Sequence, residues 1–151
     1  MTKSVRGPGT PPPVLVEDGS PDLAVALRAL VLKALHGAGE VVAQAPAIAD
    51  DLAAGLAASG PRARPGVAIL SSLVAGLGEA RYALGVWRHC LRGVPQEHEP
   101  LQVVFIWLAP KPAKGSALLS RVRRILEDEK AVYRLKGATT VEEALLAAGL
   151  R

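Results

Sequence analysis

Aromatic side chains, cysteines and charges are all scarce in this chain, and each scarcity excludes a class of protein. Only 3% of the 151 residues are Phe, Trp or Tyr, so few rings are available to stack on bases. We therefore expect no nucleic-acid partner, despite a formal net charge of +4, because the basic residues are also dispersed. The single cysteine, Cys90, excludes an internal disulfide framework and favours a reducing compartment.

Long apolar runs are missing as well. No uninterrupted apolar segment approaches the ~18 residues that a membrane-spanning helix requires, so we expect no membrane insertion. The first residues carry Lys3 and Arg6 without an apolar segment behind them, which argues against a secretory signal. Together with the lone cysteine, these absences predict a cytoplasmic protein.

The chain is instead rich in aliphatic residues. Half of it is hydrophobic and only 21% is charged, which is typical of a folded domain rather than a disordered chain. Residues 1–13 are rich in glycine and proline and end in three consecutive prolines, which predicts a disordered leader. Residues 14–151 are long enough for one domain with a substantial core, and too short for two.

Four segments have the character of β-strands. Residues 101–110 form a nearly continuous apolar run, which predicts a central strand buried on both faces, as in an α/β sheet covered by helices on each side. Residues 66–70 form a compact apolar strand that we expect beside it. Residues 81–87 alternate between two faces and predict a third strand, while residues 14–16 predict a short edge strand.

Helix starts are marked by capping residues. Ser20 is expected to cap the first helix, with Pro21 at its first position, and Ser116 and Asp128 are expected to cap later helices. The sequence from Thr140 to Glu143 predicts a capping box for the last helix. A further helix is expected over residues 45–58 from apolar residues that recur every four positions, with Asp50 and Asp51 on its solvent face.

Few residues suggest chemistry. Arg62 and Arg64 lie beside the start of a strand and could clamp an anion, although such side chains are more often merely solvated. His89 and Cys90 are adjacent, and neighbouring side chains on an extended chain point to opposite faces, so His89 is badly placed to activate the thiol. We expect these two residues and His98 to lie at the surface. No cluster of residues has metal-ligand spacing, and no cofactor is predicted.

The order of elements, together with several motifs, resembles the fructose/mannitol-type enzyme IIA domain of the bacterial phosphotransferase system (PTS). The motifs are Gly-Val-Ala-Ile at 66–69, Val-Val-Phe-Ile-Trp-Leu-Ala-Pro at 103–110, and Leu-Leu-Ser-Arg-Val-Arg-Arg-Ile-Leu at 118–126. The capped helix at 140–148 also resembles that family's closing element, and the likeness extends over residues 14–150. The resemblance implies a three-layer α/β/α fold with a small mixed sheet of three to five strands.

The resemblance also implies phosphocarrier chemistry, in which a histidine at the end of a strand accepts a phosphoryl group and passes it to a IIB unit. This sequence departs from the family at that point. Where the family has Pro-His, this chain has Leu70 and Ser71, followed by Ser72. We therefore interpret these three residues as a vestigial phosphoacceptor position with no catalytic residue.

Two further family features are missing. The second histidine that the family usually carries would fall near Lys114 or Gly115, and neither is a histidine. The family's Arg-Glu pair at the end of the second helix is replaced by residues 57–59, although Arg62 or Arg64 could supply a substitute cation.

Our hypothesis from sequence is a IIA-like domain that has lost its phosphorylatable histidine and acts as a regulatory or protein-binding module. We expect a protein partner, such as a transporter, a sensor or a PTS component, and leave a homodimer open. One alternative is an active phosphocarrier that uses His89 or His98. Another is a sensor of small anions or nucleotides at the old phosphate site, with Arg62 and Arg64 holding the ligand.

Overall fold

The computed structural model describes residues 12–58, 66–110 and 116–150, and within them one four-stranded sheet lies between two layers of helices. The strands are β1 Val14–Glu17, β2 Gly66–Leu73, β3 Arg81–Trp87 and β4 Leu101–Ala109. The α-helices are α1 Leu23–Ala34, α2 Ala45–Ala58, α3 Ala117–Leu126, α4 Glu129–Lys136 and α5 Val141–Ala147. Two 3-10 helices, Gly39–Gln44 and Gln96–His98, precede α2 and β4.

Strand β4 is central, as its apolar sequence predicts. The strand order is β1-β3-β4-β2, and β4 runs parallel to β2 and antiparallel to β3. The edge strand β1 runs parallel to β3. The sheet is therefore mixed, and the predicted fold class is confirmed. Every residue of β4 except Gln102 is buried, because helices cover both faces.

Alternation along the strands assigns side chains to two cores. Ala83 and Trp87 of β3 face the layer of α1 and α2, whereas Tyr82, Leu84 and Val86 face the layer of α3, α4 and α5. The alternating pattern of β3 predicted this division. The sheet thus separates two apolar cores, one on each face. Polar side chains can lie at the ends and edges of its strands.

Strand β2 is longer than predicted. It continues to Leu73 rather than ending at Leu70, because β4 continues beside it and pairs Ser71 with Trp107 and Ser72 with Leu108. The backbone ladder compensates for the low strand preference of the two serines. The prediction that both serines follow the strand is therefore wrong, because both lie within β2, just before its last residue Leu73.

The helix caps agree with the sequence except at α1. Ser116, Asp128 and Thr140 cap α3, α4 and α5, and each accepts a hydrogen bond from a backbone N–H of the first turn. At α1 the cap is Asp22, whereas the hydroxyl of Ser20 donates to the carbonyl of Cys90. Ser20 was the wrong cap because a partner 70 residues away holds its side chain.

The helical stretch Gly39–Ala58 is long and apolar enough to cross a membrane by length and composition alone. Its apolar face, which includes Ile48, Leu52 and Leu56, instead packs in the core beneath α1 and the sheet. The stretch therefore packs one face against the core, and most of its remaining surface is exposed. It also supplies one wall of the candidate site.

Two residues that we assigned to the leader belong to the described structure. Pro13 is buried, and its carbonyl accepts a hydrogen bond of 2.9 Å from the N–H of Leu84. The carbonyl of Pro12 accepts from the N–H of Val14 at 2.8 Å. The rest of the predicted leader, residues 1–11, lies outside the described residues.

Candidate functional site

A cavity of about 660 Å³ opens where β2 and β4 end side by side. Because these strands are parallel, their carboxyl ends meet at one edge of the sheet, which is where ligands commonly bind in α/β folds. Helix α2 borders the cavity on one side of the sheet and α3 on the other. The described lining residues are Asp51, Ser71, Ser72, Leu73, Trp107, Ala109, Ser116, Leu119, Ser120 and Arg123.

The predicted vestigial position divides between the core and this cavity. Leu70 is buried against the α1 and α2 layer. Ser72 lies on the same face two residues later and is also buried, whereas Ser71 points to the opposite face and is exposed. Of the three predicted residues, Ser71 and Ser72 therefore line the cavity, and Leu70 is structural.

Asp51 is the partner that sequence reasoning missed. The Ser72 hydroxyl donates to Oδ2 of Asp51 across 2.7 Å, which joins β2 to α2. We expected Asp51 on the solvent face of α2, and its side chain is exposed, but it lies at the rim of the cavity. The signal available was its position three residues after the buried Ile48, which places it beside the apolar face.

Trp107 lines the cavity and is mostly buried. Its side chain is 6% exposed, and its ring packs on Phe105 with centroids 6.5 Å apart. The indole Nε1–H has no hydrogen-bond partner within the described ranges. The other tryptophan, Trp87, is equally deep in the fold, yet its Nε1–H donates to Glu17 at 3.1 Å. Of the two indoles, only that of Trp107 lacks a partner within the described ranges.

Helix α3 brings the site's positive charge. Its cap Ser116, together with Ser120 and Arg123, faces the cavity at spacings of three and four residues along one side of the helix. Nothing in the sequence pairs Arg123 with β2. No ion pair joins Arg123 to a carboxylate in the part of the chain that the structure describes.

None of the three histidines lines this cavity, and all three lie in described segments. His89 follows β3 and His98 precedes β4, so both lie at the end of the sheet where β4 begins. Ser71 pairs with Trp107, which lies six residues after the first residue of β4. At the usual rise per residue, Ser71 is therefore roughly 20 Å from the end of the sheet where His89 and His98 lie. His98 is buried rather than at the surface, which corrects our expectation for that residue.

Arg62 and Arg64 lie outside the described residues, as do Lys114 and Gly115. Among the described residues, no group of three or more His, Cys, Asp or Glu side chains is arranged to hold a metal ion.

Solved structures with the same architecture include proteins of three bacteria. The nitrogen regulatory protein IIA-Ntr of Neisseria meningitidis is 20% identical with a TM-score of 0.69, and the match covers 89% of this chain and 91% of that one. The chain has the fold of a PTS IIA domain. At this identity the likeness establishes the fold, and function needs separate support.

Two streptococcal structures support the same IIA fold. A protein of Streptococcus mutans assigned as PTS IIA (PtxA) is 16% identical with a TM-score of 0.63, over 91% of this chain and 86% of that one. A protein of Streptococcus pyogenes M1 GAS assigned as a PTS IIA domain is 18% identical with a TM-score of 0.64, over 90% and 89%. No protein-family model and no curated protein matches the sequence.

Proposed function

We propose that this IIA-fold domain does not relay phosphate through a histidine and acts instead as a regulatory module that binds another protein. The observation that carries the proposal is the make-up of the cavity at the ends of β2 and β4. Serines stand at the strand end, Ser72 is bonded to Asp51, and the three histidines lie elsewhere. In this proposal the domain has the scaffold of a phosphocarrier but lacks the nucleophilic histidine.

The chemistry of serine supports this proposal. An imidazole is a neutral nucleophile near pH 7, and its phosphoramidate readily passes the phosphoryl group onward. A serine hydroxyl needs an adjacent base, and its phosphate ester is stable. The Ser72 hydroxyl donates its hydrogen bond to Asp51, which could act as a base. Ser72 is nevertheless buried, with only 9% of its surface exposed. Neither serine is a substitute for a phosphorelay histidine.

The rival phosphocarrier with His89 or His98 requires one of these rings near Ser71. Both rings lie where β3 ends and β4 begins, at the end of the sheet away from Ser71, and this separation supports the proposal over the rival. The partner of the proposed module remains in the classes expected from sequence: a transporter, a sensor or a PTS component, in the cytoplasm.

A phosphorylation assay tests the first half of the proposal. The purified chain is incubated with radiolabelled phosphoenolpyruvate, enzyme I and the general phosphocarrier protein, beside an active IIA domain as a positive control. We expect label on the control and none on this chain. Acid-labile label on this chain, which marks phosphohistidine, would refute the proposal. Acid-stable label would instead show a serine ester, which would contradict the exclusion of both serines as phosphate acceptors but not the absence of a histidine relay.

A charge reversal at the cavity tests the second half. Proteins captured from the native cell extract by the wild-type chain are compared with those captured by Arg123→Glu and by Arg121→Glu. Both arginines are exposed on α3, but only Arg123 lines the cavity. We expect a partner that is retained by Arg121→Glu and lost by Arg123→Glu. Identical capture by all three proteins would contradict a binding role for this face.

A further inference from the structure

Helix α1 has an apolar row on the side that is directed away from the sheet. The row follows the helical spacing of three and four residues and continues into the turn after the helix, and its members are Val25, Ala29, Leu32 and His36. Val25 is 61% exposed and Leu32 is 45% exposed. A depression of about 360 Å³ lies along the row, where Lys33 joins Ala29, Leu32 and His36 in the lining. Aligned apolar side chains beside a depression indicate a contact surface.

The charges beside this row are positive. At 100° per residue, Arg28 and Lys33 lie on the two sides of the row, and α1 carries no carboxylate after its cap Asp22. Neither cation is ion-paired within the segments that the structure describes. The surface is thus apolar along its centre and cationic at its margins, so the occupant that suits it is apolar and acidic.

The neighbouring helix of the same layer has that character. The stretch Gly39–Ala58 contains three carboxylates and no cation, and only 33% of its most apolar window is buried. The outward side of α2 places Asp50 among the exposed alanines Ala47, Ala54 and Ala57. Although α1 and α2 pack side by side, no ion pair joins them among the described residues. One face of the chain therefore displays both a cationic apolar surface and its acidic counterpart.

We propose that this face binds a second copy of the chain, with α1 of each copy lying against α2 of the other around a two-fold axis. Leu32 and the cations beside it then meet Asp50 of the partner subunit and the alanines around it. Because such a contact is isologous, the same attraction occurs twice. Pairing of α1 with α1 would instead bring Arg28 and Lys33 near the same cations of the other copy, where like charges repel.

The size of the face sets the strength of the dimer. Helix α1 has 12 residues and is therefore about 18 Å long, and the face is only two helices wide. Stable complexes usually bury about 800 Å² on each partner, which is more than such a face offers. We therefore expect a weak dimer that forms with rising concentration. It leaves the α3 layer and Arg123 free, so it goes beyond the proposed function and does not depend on it.

Sedimentation velocity of the full chain, from roughly 10 μM to roughly 1 mM, tests the proposal. We expect dimer to accumulate with concentration, and less of it at about 500 mM than at about 50 mM salt. Leu32→Glu should weaken association at least about tenfold, since it places a carboxylate against Asp50 of the partner subunit. The matched control is Leu146→Glu, because Leu146 is 64% exposed on α5 in the other layer. Circular dichroism and the Tm verify that each variant is folded.

A charge exchange tests the pairing of α1 with α2. Lys33→Glu alone and Asp50→Lys alone should each associate more weakly than the wild type, because each then brings like charges together twice. An equimolar mixture of the two variants should recover association, since both contacts of the mixed dimer again join opposite charges. Pairing of α1 with α1 predicts instead that Asp50→Lys has no effect.

A chain that stays monomeric at roughly 1 mM in low salt overturns the proposal, as does a Leu146→Glu variant that dissociates as readily as Leu32→Glu. A mixture that fails to recover association overturns it too. If the chain stays monomeric but sediments with vesicles of anionic phospholipid, and Leu32→Glu abolishes this, the face binds a membrane surface and the proposal is wrong. None of these results changes the outcome of the phosphorylation assay, so the two proposals fail separately.

Discussion

Ser71 and Ser72 are consecutive residues with opposite environments, because successive side chains of a strand point to opposite faces of the sheet. Ser72 faces the α2 layer, where it is buried and donates to Asp51, and Ser71 faces the α3 layer and is exposed. Treating the two as one vestigial position conceals this difference. Their substitutions should therefore have different effects on stability.

Ser72→Ala is expected to lower the free energy of unfolding by about 1 kcal/mol, because it removes the hydrogen bond between β2 and α2. The loss is modest since Asp51 is exposed and water can replace the hydroxyl. Ser71→Ala, the matched control, should change stability by less than about 0.5 kcal/mol. Urea unfolding followed by circular dichroism measures both, and equal effects would show that the Ser72 bond is not formed.

Gly85 is a second residue whose role depends on a close approach. A Cβ at this position would overlap the ring of Trp87 and touch Leu30 of α1. The ring has little freedom to move, because it is fully buried and its Nε1–H is bonded to Glu17. Glycine in this strand therefore makes room for a large aromatic side chain on the same face.

Gly85→Ala is expected to destabilise the fold by about 1–3 kcal/mol through overpacking. The control is Gly55→Ala in α2, where an added Cβ meets nothing within 4 Å and the helix should gain about 0.5–1 kcal/mol. Chemical denaturation of both variants compares them directly. A neutral Gly85→Ala would mean that Trp87 is not packed as described.

Helix α5 begins with a cap that is sensitive to pH. The Glu143 carboxylate accepts from the N–H of Thr139 at 2.7 Å and from its hydroxyl at 3.0 Å, while Thr140 accepts from the N–H of Glu143. The Thr139 N–H and hydroxyl, with a further contribution from Thr140, lower the pKa of Glu143 below its usual range. The cap extends the predicted capping box by one residue, since the Glu143 carboxylate bonds chiefly to Thr139 and to a smaller extent to the backbone of Thr140.

Glu143→Ala is expected to lower the Tm at pH 7 and to approach the wild-type Tm in acid. A carboxyl whose pKa is depressed by folding stabilises the protein above its unfolded pKa of about 4.3, and this contribution disappears as the pH falls through the lower folded value. Glu40→Ala, an exposed glutamate outside the cap, is the control. Thermal scans between pH 7 and pH 3 would contradict the prediction if the two variants behaved alike.

For the whole molecule, the sheet couples two cores that neither layer of helices could complete alone. Strand β1 is part of this coupling, because it pairs with β3, and Glu17 at its end holds the indole of Trp87. Val14 is buried against the α3 to α5 layer. The short first strand therefore contributes to the fold more than its four residues suggest.

Removal of residues 1–11 is expected to leave the unfolding transition unchanged, whereas removal of residues 1–17 should cost about 2 kcal/mol or more. The longer deletion removes the buried Val14 and the hydrogen bonds of β1. We expect one cooperative transition in the intact chain, because both cores share the sheet. Calorimetry of the three proteins checks this, and equal Tm values would show that β1 is dispensable.

The features that local pattern determines were predictable from the chain. The buried run ending at Ala109 marks β4, alternation marks β3, and Ser116, Asp128 and Thr140 mark their helices, because burial and capping depend on near neighbours. The order of these elements also indicated the fold that the three bacterial structures share.

The composition of the cavity depended on contacts that no local pattern records. Ser72 meets Asp51, 21 residues away, and Trp107 and Arg123 share a cavity because β2 runs parallel to β4 and α3 starts beside their ends. Periodicity tells which face a side chain occupies, but not which element covers that face. The amino-acid order thus established the scaffold, and the pairing of its strands established which polar groups meet.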